Sequence, residues 1–200
     1  MFKHITMLYG LLMAISICAG IPEGICQDIP IGQWRTHISY HKIGFITESK
    51  TKLFAAASHS LMVVDRTDNS LTSLDKLDGL MGAPISFIAA DPVTENLLIG
   101  YDDGGLDIVR ENEILNFTRL RNDASLAGSR TINHIELHNG LAYLATEFGM
   151  VVFDMHRMEI KETWRDLGEN GAKIKIFQST ILNDSIFLAT EQGILAGALH

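Results

Sequence analysis

Several features are scarce in this 200-residue sequence, and each scarcity excludes a class of protein. Of the two cysteines, Cys18 and Cys26, neither follows residue 27, so the later chain has no disulfide framework and no thiolate metal site. Basic residues number 16 against 24 acidic ones, giving a net charge of -8, and no Lys/Arg cluster is present. We therefore predict no nucleic-acid partner, because such a partner requires a basic footprint. No apolar run after residue 20 reaches the ~18 residues of a membrane span.

The N-terminus has the pattern of a secretory signal peptide. Lys3 precedes the apolar run 5–19, and small residues follow it. Cleavage can fall after Gly20 or after Cys26; we favour the second, which leaves Gln27 as the first mature residue. The predicted division is a signal peptide over residues 1–26 and one exported domain over residues 27–200. The chain is 46% hydrophobic and 20% charged, which is enough apolar material for an ordered core.

An internal repeat is the strongest signal in the sequence. Each copy is an apolar strand, a small polar turn and a second apolar strand, and the turn positions Ser60, Gly104, Gly149 and Gly193 are 44, 45 and 44 residues apart. The four copies are KLFAAASHSLMVVD (52–65), NLLIGYDDGGLDIV (96–109), LAYLATEFGMVVFD (141–154) and SIFLATEQGILAGA (185–198). A tight turn favours glycine where φ is positive, so we expect Gly149 and Gly193 there. Ser60 either takes strain or sits in a turn of another geometry.

Further strands flank each copy. The preceding strands are predicted over 43–49, 85–91, 132–138 and 174–181, and the following strands over 70–77, 113–120 and 159–166. Four strands in about 44 residues is typical of a β-propeller blade, and the sequence shows no sustained helical periodicity. The predicted fold is all-β: a β-propeller of about four blades of four antiparallel strands, with units near 43–84, 85–131, 132–173 and 174–200. The expected core includes Ile99, Leu144, Val152 and Leu188, and no helix longer than two turns is expected after residue 30.

The predicted ring is incomplete. The fourth unit ends after its third strand, and residues 33–40 (QWRTHISY) resemble an outer strand without a blade of its own. These ends fit a four-bladed closure or a longer chain, and we favour an open, partial ring that is a fragment of a larger propeller. The apolar residues of the last blade, Ile186, Leu188, Ile194 and Leu195, are then expected to be partly exposed.

Two groups of residues could suggest a metal site. The histidine pairs His37/His41 and His134/His138 are each four residues apart, and on a strand such positions lie about 13 Å apart, too far for one ion. The acidic stretch 102–105 with Asp107 lacks the loop and the bidentate glutamate of an EF-hand, so we interpret it as a hairpin turn. No metal-binding residue is predicted.

No known catalytic motif is present either. Neighbouring residues on a strand point to opposite faces, which argues against chemistry at 58–60 (Ser-His-Ser). A glycosylation sequon occurs at 116–118, and Trp34 and Trp164 are each followed by arginine, as in a repeated packing element. We predict no enzyme, no catalytic residue, no cofactor and no cofactor-binding residue.

Two family resemblances point to a function. The segment 79–109 resembles the propeller repeat of periplasmic sensor regions in Bacteroidota two-component systems. Over residues 29–199, four segments resemble the N-terminal β-propeller of the PorZ family in their sequence and in their order along the chain. They are IPIGQWRTHISYHK, DKLDGLMGAPISFIAADP, GSRTINHIELHNGLAYLATEFGMVVFDMHRMEIKETW and FLATEQGIL. That family belongs to the type IX secretion system.

The PorZ resemblance implies an exported, non-enzymatic scaffold or binding component of the cell-surface attachment machinery. Its partners would be proteins of that complex or lipopolysaccharide, and its location the periplasm, outer membrane or cell surface. Full-length members resemble two propellers followed by a C-terminal β-sandwich signal domain. The sensor resemblance implies the alternative, a glycan-binding ectodomain of a two-component regulator. Neither resemblance assigns a binding residue.

Overall fold

The computed structural model of the chain describes residues 42–111, 113–126 and 128–199. Fifteen strands form four antiparallel sheets, each built from strands that follow one another along the chain. The first sheet is β1 (Phe45–Glu48), β2 (Lys52–Ala56), β3 (Leu61–Asp65) and β4 (Leu71–Leu74); the second is β5 (Ile85–Ala90), β6 (Leu97–Tyr101), β7 (Leu106–Val109) and β8 (Ile114–Phe117). The third is β9 (Ile132–His138), β10 (Leu141–Thr146), β11 (Gly149–Asp154) and β12 (Glu159–Trp164); the fourth is β13 (Ile176–Leu182), β14 (Ser185–Thr190) and β15 (Gly193–Ala198).

The all-β prediction is confirmed: four repeated sheets form an open, partial propeller. The helical content of the described residues is one three-residue 3-10 turn, Glu169–Gly171. No helix among the described residues is long and apolar enough to cross a membrane. The residues 33–40, in which an outer strand was predicted, lie outside the described part of the chain.

The second and third strands of the middle sheets are mainly apolar on both faces because each face meets a neighbouring sheet, with the buried Asp107 of β7 as an exception. The strands β6 and β11 are buried almost end to end, whereas every position of the outer strand β12 is exposed or half-buried. The four predicted core residues, Ile99, Leu144, Val152 and Leu188, are all buried.

The core consists of three apolar clusters, one at each junction between successive sheets. Phe54 and Leu61 of the first sheet pack with Leu97 and Ile99 of the second. The second and third sheets meet in a larger cluster, whose main members are Leu98, Leu106, Ile108, Ile132, Leu144, Val151 and Phe153. The third and fourth sheets meet through Tyr143, Met150, Val152, Ile174, Ile186 and Leu188. Successive sheets are therefore held by contacts between faces, in the manner of propeller blades.

The prediction for the last blade is wrong for two of its four residues. Ile186 and Leu188 are buried, whereas Ile194 is 77% exposed and Leu195 is half-buried. The reason is the pleat, since alternate side chains of β14 face the third sheet and the others face away. The outward face carries other apolar side chains, Phe177 and Leu182, instead.

The turn between the second and third strands differs among the sheets. Gly149 and Gly193 have φ of 134° and 112°, so the predicted positive φ is confirmed. Ser60 is not among the residues with positive φ, so the first sheet uses another turn geometry. In the second sheet Tyr101 N donates to Gly105 O, which makes Gly105 the counterpart of Gly149, and Gly104 (φ 85°) lies within a loop one residue longer.

A bulge recurs in the innermost strands of the second, third and fourth sheets. The register with the neighbouring strand skips Ser86, Asn133 and Phe177, respectively. The first two side chains cross to the next sheet: Ser86 Oγ donates to Ile132 O at 2.7 Å, and Asn133 Nδ2 donates to Ile176 O at 2.9 Å. This bulge clamp joins neighbouring sheets through hydrogen bonds at their inner edges.

Candidate functional site

The connectors divide into two groups at opposite ends of the strands. We call the first group the loop rim: 57–60, 75–84, 102–105, 118–131, 147–148, 165–175 and 191–192. The second, the turn rim, comprises 49–51, 66–70, 91–96, 110–113, 139–140, 155–158 and 183–184. All three connectors between sheets lie on the loop rim, and they are the longest connectors between the described strands. Long connectors on a rigid scaffold commonly carry binding residues, so the loop rim is the candidate functional surface.

The longest connector, 118–131, is anchored by buried leucine side chains and by hydrogen bonds within the loop. Leu120 and Leu126 are buried in the cluster between the second and third sheets. Arg130 Nη2 donates to the carbonyls of Asp123 at 3.0 Å and Leu126 at 2.8 Å. Arg130 Nε is buried and has no hydrogen-bond partner among the described residues. Arg130 therefore holds the backbone of its own loop in shape.

Ion pairs tie this connector to its neighbours. Arg165 Nη2 lies 3.3 Å from Asp123 Oδ2, and the Arg165 guanidinium lies 5.8 Å from the centre of the Phe148 ring. On the other side, Arg121 Nε lies 3.1 Å from Asp103 Oδ2. Hydrogen bonds from Ser125, followed by the Arg165 contact, lower the pKa of Asp123. The charged form of Asp123 is thus favoured, and ion pairs connect the loops of the second and third sheets at this rim.

A buried carboxylate fixes the connector between the first and second sheets. Asp107 has no exposed surface, and its oxygens accept from Tyr101 Oη at 2.6 Å, Met81 N at 2.9 Å and Asn116 Nδ2 at 2.7 Å. Burial raises the pKa of Asp107, against the effect of these hydrogen bonds. Burial and the nearby carboxylate raise the pKa of Tyr101. Since the bond from Met81 reaches into 75–84, Asp107 positions that loop.

This cluster was missed from the sequence. We grouped Asp107 with the acidic turn 102–105, but the turn and the strand use their carboxylates separately: Asp103 Oδ1 accepts from Gly105 N, and Asp107 faces the interior. The available signal was one aspartate inside an apolar strand, with a tyrosine and an asparagine near it in sequence. Asn116, the sequon asparagine, is the same residue that bonds Asp107 and also Gly79 O.

The predicted histidine pair lies on β9. The rings of His134 and Phe87 are 4.6 Å apart, and His134 Nδ1 is 3.4 Å from Ser179 N; burial lowers the pKa of His134. His138 contacts Asn139 at the turn rim, and the other pair, His37 and His41, lies outside the described residues. In the described ranges no three His, Cys, Asp or Glu side chains are placed to hold a metal ion.

The remaining sequence candidates are separate from one another. Ser58 and His59 are exposed in a loop-rim turn, while Ser60 is buried. Trp164 packs 6.1 Å from the Tyr143 ring, between the third and fourth sheets, and its Nε1 donates to Glu162. Trp34 falls outside the described part of the chain. These positions give no common site.

Several clefts open between sheets in the described part of the chain, including one of about 330 Å³ beside Phe87 and His134. A second, of about 100 Å³, lies between the second and third sheets and is mainly apolar. A third, of about 580 Å³, lies at the turn rim between the first and second sheets and is lined by both polar and apolar groups, including Lys52, Glu95 and Arg110. Thr51 Oγ1 donates to Glu95 Oε2 at 2.5 Å in that third cleft, so part of its polar lining is already paired.

Comparison with known proteins shows what this propeller domain is similar to. Residues 53–200 match the N-terminal β-propeller domain of PorZ, of the type IX secretion system. The solved structure of PorZ, an essential bacterial surface component of that system in the oral bacterium Porphyromonas gingivalis, is 26% identical with a TM-score of 0.70. The match covers 82% of this chain and 22% of that one, so the chain spans about a fifth of that relative's length.

Two other solved structures share the fold. The extracellular domain of a putative hybrid two-component system from B. thetaiotaomicron is 21% identical, with a TM-score of 0.56 over 78% of this chain and 20% of that one. Sqt1 of Saccharomyces cerevisiae is 14% identical, with a TM-score of 0.60 over 74% of this chain and 42% of that one. No curated protein matches the chain.

Fold and rim together define a β-propeller domain whose sheet connectors are gathered on one side. The family match over residues 53–200 shows the family as well as the fold. The chain belongs to the PorZ N-terminal β-propeller family, as its sequence predicted.

Proposed function

We propose that this protein is an exported, non-enzymatic scaffold of the type IX secretion machinery that binds protein partners or lipopolysaccharide through its loop rim. The proposed organisation is a signal peptide over residues 1–26 and a propeller domain over residues 27–200. The family match carries the proposal. The anchored connector 118–131 supports it, because a long loop held by Arg130 and two buried leucines is a preorganised binding surface.

Deletion of the gene in its native host tests this role. We expect type IX cargo to lose its attachment to the cell surface and to accumulate inside the cell or in the medium. Restoring the gene should restore attachment, whereas a copy lacking residues 1–26 should not. Normal cargo attachment in the deletion strain would contradict the proposal.

A second candidate is the glycan-binding ectodomain of a two-component regulator. The fold shared with the B. thetaiotaomicron extracellular domain favours it. On this alternative, deletion leaves cargo attachment intact and removes the transcriptional response of a glycan-use locus. Cargo fractionation and transcript measurement in the same deletion strain therefore separate the two functions.

A further inference from the structure

The small apolar cleft between the second and third sheets lies beside an unpaired cation. Its walls include Phe117 of β8, Phe153 of β11 and Ile160 of β12, and the Phe117 and Phe153 rings meet edge to face with centres 5.0 Å apart. Arg119 of the connector 118–131 lines the same cleft. We call this the Arg119 cleft.

Arg119 differs from the other arginines of the loop rim in having no partner among the residues that the structure describes. Arg121, Arg130 and Arg165 each make an ion pair or hydrogen bonds to loop carbonyls. Arg119 is exposed and makes no ion pair or hydrogen bond with any described residue. The acidic residue of the cleft, Glu159, lies 3.7 Å from Arg157. Among the lining groups, the guanidinium of Arg119 is therefore the free charge, and it favours an anion.

The cleft volume limits what can enter. About 100 Å³ is smaller than the ~150 Å³ apolar cavity that accepts benzene. A branched aliphatic group of the size of a leucine or valine side chain fits this space, and a long acyl chain does not. Burial of such a group strengthens binding on the order of ten- to a hundredfold. That gain does not support a stable complex alone, so the cleft suits one anchor within a larger contact.

Neighbouring backbone can supply the rest of that contact. The strand β12 is the outer edge of the third sheet, and one side of it has no partner strand among the described residues. An extended peptide next to this edge can use its backbone hydrogen-bonding groups. A free amphiphile has no backbone amides to pair with a strand edge. A polypeptide has them, and it is therefore the better-matched occupant.

We propose that the Arg119 cleft is an anchor subsite for an extended protein segment in which an aliphatic side chain and a carboxylate lie two residues apart, on the same face of the segment. The aliphatic group enters between Phe117 and Ile160, and the carboxylate pairs with Arg119. This inference rests on the proposed function in expecting a protein partner, but the subsite itself can be tested without the secretion system.

The first test uses 4-methylpentanoate and its neutral amide, 4-methylpentanamide, as probes with the full chain, followed by protein-observed NMR. We expect both to shift signals of residues 106, 117 and 160, with the amide binding about three- to fivefold more weakly, as for an exposed ion pair. Arg119→Gln should make the two probes equal, and Ile160→Trp should abolish both shifts. Arg66→Gln, the loss of an exposed arginine that does not line the cleft, should leave the ratio unchanged.

The second test selects displayed 12-residue peptides on the full chain, with Arg119→Gln as the counter-selection. We expect enrichment of an aliphatic residue two positions from Asp or Glu, and we expect that enrichment to be lost on the variant. Enrichment without acidic residues, or probe shifts confined to other sites, would overturn the proposal. All three variants used in these tests must keep the parent's thermal midpoint within a few degrees. If both tests succeed and gene deletion leaves secretion intact, the subsite stands and the secretion role fails.

Discussion

The turn rim closes each strand pair with two to six residues, whereas the loop rim also passes from sheet to sheet through connectors of ten to 14 residues. On the turn rim, aspartates bond the next few backbone amides, as Asp154 does with His156 and Arg157. On the loop rim, the bonds reach across sheets, as from Met81 to Asp107 and from Arg165 to Asp123. A cross-sheet bond also occurs on the turn rim, from Thr51 to Glu95, but it is only partly buried, whereas the loop-rim bond from Met81 ends on the fully buried Asp107. Damage to the loop rim should therefore cost more stability.

Asp107→Ala should have the largest effect. It leaves Tyr101 Oη, Met81 N and Asn116 Nδ2 without their acceptor in a buried site, and we expect a loss of about 4 kcal/mol in the free energy of unfolding. Urea denaturation measures it. Tyr101→Phe, which removes one hydroxyl, should cost about 1 kcal/mol. Equal losses in the two variants would mean that Asp107 does not hold the 75–84 loop.

Gly149→Ala should follow, at about 3 kcal/mol. A Cβ there would lie 2.1 Å from Trp164 O, so backbone must move, and φ is 134°. Gly140 of the turn rim also has positive φ (77°), but a Cβ added there would meet no atom within 4 Å. Gly140→Ala should therefore cost about 1 kcal/mol, the conformational part alone. Thermal unfolding of the two variants side by side measures the difference, and similar midpoints would show that the close approach at Gly149 is relieved cheaply.

Arg130→Met keeps the apolar stem and removes two bonds to loop carbonyls. We expect a loss of about 2 kcal/mol and faster amide hydrogen exchange confined to 118–131. Exchange that rises equally in all four sheets would show that Arg130 supports the whole domain and not this loop.

His134 should make stability depend on pH. Burial lowers its pKa from 6.5, so the unfolded chain binds the proton more readily than the folded one. The contribution of the neutral ring is present above about pH 6.5 and is lost as the pH falls below that value. His134→Gln should flatten the pH dependence of the thermal midpoint between pH 7 and 5, because the ring that binds the extra proton in the unfolded chain is then absent. A parent protein whose midpoint rises on acidification through this range would contradict the assignment.

Arg66→Met on the turn rim should have the smallest effect. Its ion pair with Glu48, at 3.1 Å, is exposed on both sides, and such pairs contribute within about 0.5 kcal/mol. Urea denaturation in low and in high salt measures this contribution. A loss as large as that of Arg130→Met would remove the distinction between the two rims.

The sequence predicted the repeat and the strands because burial on both faces leaves a strong apolar pattern. The inner strand β9 was predicted over 132–138 and lies at Ile132–His138. Side-chain direction was less predictable: the bulges at Ser86 and Asn133 shift the alternation by one residue, and no local pattern marks them. The anchored loop 118–131 was not predicted either, since Arg130 and Asp123 act through backbone carbonyls and a residue 42 positions away.

The bulge clamp has a consequence for how such a domain can grow. Ser86 and Asn133 donate to carbonyl oxygens of Ile132 and Ile176, atoms that every residue possesses. A duplicate of the second or third sheet would bring its own donor, Ser86 or Asn133, and would find a carbonyl acceptor on its neighbour, whatever side chains surround it. The new junction would thus have one hydrogen bond from the start. Selection would then have to improve only the apolar contacts between the two sheets.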